Sequence, residues 1–336
     1  MKRVWSLCLM LCLLLSGCTF GKPKEVAGQL EVHYIDVGQA DCIFLRCDGE
    51  TMLIDGGNVD DSDLVVAYLL EQDVTKLDYV VNTHSHEDHV GGLPGVMAVF
   101  EAGQVWCPVT SYDSKCFEDF LYYVDQQYLT LECPEPGSTY SLGEAEITVL
   151  GPVKEYEDPN NTSIVLRVDH GENSFLFTGD AEAEAEHDIL EEGYDVSCDV
   201  LKVGHHGSNT STSYRWLREA APQYGVIQVG KDNSYGHPHD EPMSRLRDAD
   251  VTVYRTDLQG HIVCTSDGKT ITFAGKKSAP VTNPTKKAEE FIGNRNSKKF
   301  HLPTCDGLPK EENRVYFDDY DKAIEDGFTP CGNCIG

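Results

Sequence analysis

The stretch Thr83-His84-Ser85-His86-Glu87-Asp88-His89-Val90-Gly91-Gly92 decides how this chain is read. It sets three imidazoles and two carboxylates within six consecutive residues, a metal-ligand cluster of the HxHxDH type. The segment before it, Asp78-Tyr-Val-Val-Asn-Thr83, has the apolar core of a short buried strand. The segment after it opens on Gly91-Gly92 and turns helical towards Phe100. The cluster is therefore expected on a strand-to-helix loop, where side chains converge without being tied to opposite faces of one element. Imidazole and carboxylate together suit zinc, manganese or iron.

The chain's 336 residues allow one large or two smaller domains. Lys and Arg number 27 against 56 Asp and Glu, a formal net charge of −29. That balance argues against a basic groove that coats nucleic acid. It argues less against a metal-dependent phosphodiesterase, because bound divalent cations supply positive charge locally.

At the amino end, Lys2-Arg3 precedes an apolar run from Val4 to Leu15, and Leu15-Ser16-Gly17-Cys18 has the form of a lipobox. Residues 1–17 are read as a lipoprotein signal peptide, with Cys18 lipidated and 18–29 a tether. The apolar run is too short to read as a spanning helix. The expected location is the bacterial cell membrane, lipid-anchored and facing outside the cytoplasm. Cys42, Cys47, Cys107, Cys116, Cys133, Cys198 and Cys264 lie in the body, an odd set whose pairing sequence does not reveal.

Strands and helices roughly alternate through a body spanning 30–274. Strand-like runs include Leu30 to Ile35, Asp41 to Arg46, Thr51 to Ile54, Ile164 to Val168, Phe175 to Phe177 and Val200 to Val203. Helix-like runs include Leu64 to Glu71, Glu118 to Gln127, Ala181 to Leu190, Tyr214 to Ala220 and Glu241 to Asp248. His170-Gly171-Glu172-Asn173 reads as a hairpin turn. Residues 275–290, with Lys276, Lys277, Pro280, Pro284, Lys286 and Lys287, read as a basic linker, and 291–336 as a small terminal module.

Five further segments place polar residues beside apolar runs. They are Asp36-Val-Gly-Gln-Ala-Asp41, Leu53-Ile-Asp-Gly-Gly57, Phe177-Thr-Gly-Asp180, Leu201-Lys-Val-Gly-His-His-Gly-Ser208 and Tyr235-Gly-His-Pro238. Each alone is an ordinary turn. Together with the HxHxDH run, and in this order, they resemble the metallo-β-lactamase superfamily, and more closely the metallo-β-lactamase-like domain of ComEC-type DNA-uptake competence proteins. The resemblance covers Glu31 to Phe273 and implies an α/β fold, the αββα metallo-β-lactamase sandwich, with a metal site at the sheet edge.

The resemblance also implies roles. His84 and His86 would hold one divalent ion, Asp88 and His89 a second, and Asp180 both. His205 matches the last metal histidine, with His206 beside it as the alternative. Asp55 would orient a ligating imidazole. Where the wider superfamily carries a further histidine ligand, this chain offers only His170, in the expected turn, and the matching region reads Asn160-Asn161-Thr-Ser163. That departure leaves manganese open beside zinc. His237 would contact a phosphate oxygen or the leaving group, and Asp88 and His237 are the expected catalytic pair.

In the terminal module, Phe300-His-Leu-Pro-Thr-Cys305 and Pro330-Cys-Gly-Asn-Cys334 form a Cys₃His set, His301, Cys305, Cys331 and Cys334. The pattern resembles the metal-binding domain of Ada, with His301 at the first cysteine position, and implies a small α+β module held by one structural zinc. The combined expectation is an exported metal-dependent hydrolase, a nuclease acting on DNA through a metal-bound hydroxide. A lactone, thioester or β-lactam hydrolase, and a non-catalytic lipoprotein that captures DNA, are the alternatives.

Overall fold

Residues 28–275 and 291–335, apart from 303, 304, 306, 318, 319 and 333, are described in a computed structural model. The expected signal peptide, Cys18, most of the tether and the Lys-rich linker lie outside the described residues.

Alternation within the strands builds the layers. In Ile43–Cys47, Phe44 faces one way and Leu45 the other; in Glu50–Ile54, Leu53 and Ile54 divide likewise. One sheet runs in the order Ile271–Gly275, Ile262–Ser266, Leu30–Tyr34, Ile43–Cys47, Glu50–Ile54, Lys76–Val81, Glu101–Trp106, Leu131–Glu132. The other runs Thr252–Arg255, Tyr224–Ile227, Val200–Lys202, Asn173–Phe177, Val165–His170, Ala145–Gly151, Thr139–Leu142.

Leu45, Ile54, Ile147, Phe175, Phe177 and Val200 meet in the core between the sheets. The outer face of the first sheet, with Phe44, Leu53, Val80 and Val105, is covered by helices Ser62–Glu71, Leu93–Val99 and Lys115–Gln126. The outer face of the second, with Leu176, Leu201 and Val253, is covered by Ala183–Glu191, Tyr214–Ala220 and Asp240–Asp248. These four layers are the expected αββα sandwich. Among the described residues, no helix is long and apolar enough to cross a membrane.

Parallel pairing brings the polar strand ends to one edge. Glu50–Ile54 pairs in parallel with Lys76–Val81, so Asp55 and Asn82-Thr83-His84 emerge side by side. Asn173–Phe177 pairs in parallel with Val200–Lys202, so Asp180 and the Gly204–Gly207 turn also emerge together. Within the first group the loops lock backbone to backbone: a Cβ on Gly92 would sit 2.0 Å from the Gly56 carbonyl oxygen. Only glycine permits that approach.

The terminal module has a four-stranded sheet, ordered Arg314–Phe317, Phe291–Asn294, Lys299–His301, Thr329–Pro330, and the helix Tyr320–Glu325. Phe291, Phe300, Phe317, Phe328 and Ile335 form its core. Tyr214 of the sandwich enters the same cluster and stacks on Tyr320 with ring centroids 5.5 Å apart. The module is thus seated on the helix Tyr214–Ala220.

Candidate metal centre

The HxHxDH run leaves the strand Lys76–Val81 and ends in the short helix Glu87–Val90, as the sequence implies. Asp55 adopts a left-handed backbone (φ 59°), which turns its carboxylate back under that run. It accepts hydrogen bonds from the Thr83 amide (2.7 Å), the Thr83 hydroxyl (2.7 Å) and His89 Nδ1 (2.8 Å). With Nδ1 donating to Asp55, His89 presents the Nε2 lone pair to the cavity. Asp180 Oδ2 lies 3.3 Å from that Nε2.

An unusual turn sets His205 and His206 apart. His205 and His206 both adopt left-handed φ, 48° and 53°. Such conformations cost of order 1–3 kcal/mol each outside glycine and persist only where the surroundings enforce them. The turn folds the His206 ring inwards, where its Nδ1 donates to the Gln228 carbonyl (3.0 Å) and lies 3.2 Å from Asp41. Its Nε2 then faces Asp88 (3.3 Å) and Asp180 (3.6 Å). His205 stays at the rim, 3.5 Å from Asp180, with Nδ1 near Glu182 and Thr210. Donor atoms of Asp88, His89, Asp180 and His206 all lie within 4.8 Å of one another; His205, preferred from sequence, is not in this group.

His84 and His86 form the neighbouring pair, with His84 Nε2 3.1 Å from His86 Nδ1. The Thr83 hydroxyl already donates to Asp55, so at 3.3 Å it accepts from His84 Nδ1, which leaves His84 Nε2 as the free lone pair. Two imidazole nitrogens turned on each other beside a carboxylate are the arrangement a cation resolves.

Electrostatics and unmet valence both fit divalent ions here. Burial opposes charge on His89, but Asp180, Asp55 and Asp88 outweigh it and hold its pKa well above the ordinary value. Burial likewise opposes charge on His206, and Asp180 and Asp41 raise it to about 10. The pocket's negative field thus demands positive charge. His89 Nε2, His206 Nε2 and Asp180 Oδ1 are buried and make no hydrogen bond among the described residues. Three orphaned donors of nitrogen and oxygen type, pointed at one space, match an imidazole–carboxylate metal site.

Behind the centre, Lys202 is fully buried and pairs with Asp41 at 2.7 Å. Asp41 is held below the usual carboxylate range: burial opposes this, and Lys202 and His206 prevail. Lys202→Ala strands a buried carboxylate against His206 alone and is expected to destabilise the fold by about 3–5 kcal/mol. Denaturant unfolding of the variant checks this. A lysine inside the apolar run Val200-Leu-Lys-Val203 was the available signal for this pair.

A cavity of about 290 Å³ opens over the donors, lined by Gln39, His86, Asp88, Asn160, Asp180, His205, His206, Tyr235 and His237. His237 therefore reaches the site. Its pKa is lowered to about 4 by burial and by the nearby His206 and His239, so it is neutral at neutral pH. Gln39 Nε2 lies 3.4 Å from His237 Nδ1, and Tyr235, 67% exposed, stacks on the His237 ring. His239 sits aside, accepting from the Asn209 amide at 3.0 Å. His170 lies at the far end of its strand, bonded to Ser266 (2.9 Å).

The sequence profile of the metallo-beta-lactamase superfamily matches residues 35–231, more than half of the chain. The chain belongs to the metallo-β-lactamase superfamily. Its fold and donor set are those of a metal-dependent hydrolase. Residues 280–335 match the metal binding domain of Ada. ComE operon protein 3 of Bacillus subtilis is 28% identical over 253 residues, covering 69% of this chain and 32% of that protein. Competence protein ComA of Neisseria gonorrhoeae is 29% identical over 255 residues, covering 74% and 34%. The chain thus spans about a third of the length of these relatives. Among solved structures, the metallo-beta-lactamase fold protein YhfI of Bacillus subtilis has a TM-score of 0.50 at 14% identity, covering 71% of this chain and 99% of its own.

In the Ada-type domain, His301, Cys305, Cys331 and Cys334 bring one donor atom each to within 4.8 Å of one another. His301 Nδ1 lies 3.3 Å from Cys305 Sγ. One imidazole and three thiolates that close on each other fit a structural zinc and leave no open position. The seven body cysteines carry free thiols, all buried except Cys133.

Proposed function

We propose that this protein is a phosphodiesterase that cleaves DNA, lipidated on Cys18 and anchored at the bacterial cell membrane outside the cytoplasm. The observation that carries the reading is likeness to competence proteins across most of the body, extended by Recombination protein 2 of Haemophilus influenzae at 27% identity over 239 residues. Those names denote proteins of competence and recombination, and the superfamily match over residues 35–231 holds every donor of the centre.

In this reading His84, His86 and Asp180 hold one ion, and Asp88, His89, His206 and Asp180 hold the other. Zinc or manganese bound there would supply activated water and neutralise phosphate charge. That local charge also draws the phosphate to a chain whose net charge is −29. Asp55 orients His89, while Gln228 and Asp41 orient His206. Asp88, with a side chain 30% exposed, is the carboxylate of the set most open to the cavity and would accept a hydrogen bond that orients the attacking water. His237 is neutral. Its Nδ1 faces the Gln39 amide, so its Nε2–H donates to a phosphate oxygen.

His206→Ala is expected to lower metal affinity and turnover by at least ~10²-fold, the upper end for losing even an orienting partner. His205→Ala is expected to stay within about 10-fold of the parent, since its ring bonds Thr210 and Glu182 at the rim. Metal titration and steady-state kinetics of the two variants separate the roles.

The direct test incubates the full chain with single- and double-stranded DNA and manganese, zinc or chelator, beside an Asp88→Ala, His89→Ala control. Metal-dependent cleavage that the control lacks supports the reading. A folded, metallated protein that leaves both DNAs intact sinks it.

A further inference from the structure

The two halves of the centre are unequally furnished. Asp88, His89, Asp180 and His206 converge as a four-donor set, whereas His84 and His86 bring only two nitrogens to share Asp180 with. Two nitrogens and one shared oxygen fall short of the four to six donors that zinc or manganese takes. Solvent can complete such a set, and so can a further oxygen from the cavity wall.

Asn160 lines the same cavity as His86 and Asp180 and is only 9% exposed. Its Nδ2 donates to Glu182 Oε1 at 3.3 Å. A carboxylate accepts and does not donate, so this contact fixes which way the amide faces. Asn160 Oδ1 is thereby turned away from Glu182. It is buried without a hydrogen bond among the described residues, the same condition as Asp180 Oδ1, His89 Nε2 and His206 Nε2.

The backbone holds the group in place. Asn160 opens a short turn, Asn160–Thr162, in which its amide donates to Asp158 (3.0 Å) and its carbonyl accepts from Ser163 (3.1 Å). The turn is tied to the Asp180 loop on both sides: Ser163 Oγ accepts from the Asp180 amide (3.1 Å), and Asn161 Oδ1 from the Glu182 amide (3.0 Å). Asn160 and Asp180 therefore move as one unit.

We propose that Asn160 Oδ1 is a ligand of the first ion, beside His84, His86 and Asp180, and that this neutral oxygen biases the first position towards manganese over zinc. An amide carbonyl is a hard, uncharged donor; such oxygens suit manganese and magnesium, while imidazole suits zinc. The second position, with His89 and His206, keeps the nitrogen-rich character that favours zinc. The proposal rests on reading the centre as binuclear.

The test is manganese binding to the full chain, followed by electron paramagnetic resonance of free Mn²⁺ and by metal content after dialysis. The terminal Cys₃His site keeps its zinc and is counted separately. The parent should bind two manganese ions. Asn160→Ala should weaken one of them by about 10–100-fold and leave the other unchanged. Asn160→Asp should restore the loss, which a merely misfolded loop would not allow, and Asn160→His should shift the weak position towards zinc. Two manganese ions bound to Asn160→Ala with parental affinity would overturn the proposal while leaving the binuclear reading intact. A parent that binds no manganese or zinc beyond the terminal zinc would overturn both.

Discussion

Asp180→Asn is expected to lower turnover by on the order of 10³-fold or more while leaving the sandwich folded. The side chain is almost isosteric, so packing at the end of Asn173–Phe177 is preserved. What is lost is charge at the point both ions would share in the proposed centre. Asp180 lies 3.3 Å from His89, 3.5 Å from His205 and 3.6 Å from His206. Burial opposes its ionisation, yet His89, His206 and His205 hold it well below the usual carboxylate pKa. A neutral amide gives the ions a weaker oxygen, and one of its two positions becomes an NH₂ that cannot ligate. Both ions should therefore weaken together. The check is kcat/KM at saturating manganese with metal content and circular dichroism on the same preparation. A variant that keeps both ions and full turnover would deny Asp180 its shared role.

The second large effect concerns the terminal module. Its core is a handful of phenylalanines in about forty residues, and domains of that size usually need a staple. Zinc held by three thiolates and an imidazole contributes about 10–16 kcal/mol at neutral pH, more than the whole stability of a typical small domain. Cys331→Ser, or extraction of zinc by a strong chelator, is expected to unfold Phe291 to Ile335 outright. The sandwich has its own cores between and outside its sheets and should stay protected. Hydrogen exchange read by mass spectrometry separates the two: the module's strands should exchange at once, and residues 30–275 outside the helix Tyr214–Ala220 should not. The seam on Tyr214–Ala220 is expected to lose protection as well, because Tyr214 packs on Phe291 and Tyr320.

The HxHxDH run, Asp55 and Asp180 were legible because each begins within three residues of the end of an apolar run, and parallel pairing carries such residues to one edge. The layers were legible through alternation in the strands. The order of strands was not. Leu30–Tyr34 pairs with Ile262–Ser266, at the opposite end of the body, and no local pattern encodes that closure. The choice between His205 and His206 depends on two successive left-handed residues, which periodicity cannot express. Lys202 and Asn160 were missed for a shared reason. Burial pairs Lys202 with Asp41 and leaves Asn160 Oδ1 without a partner among the described residues, and both are properties of packing rather than of spacing.

The proposed phosphodiester chemistry at this centre is open to one direct test. The most direct measurement offers one manganese-loaded preparation of the full chain a DNA oligonucleotide, a β-lactam, a lactone and a thioester, each at matched concentration. The expected result is cleavage of the oligonucleotide, abolished by Asp180→Asn, with none of the three acyl substrates turned over. Hydrolysis of an acyl substrate by a preparation that leaves the oligonucleotide whole would contradict it.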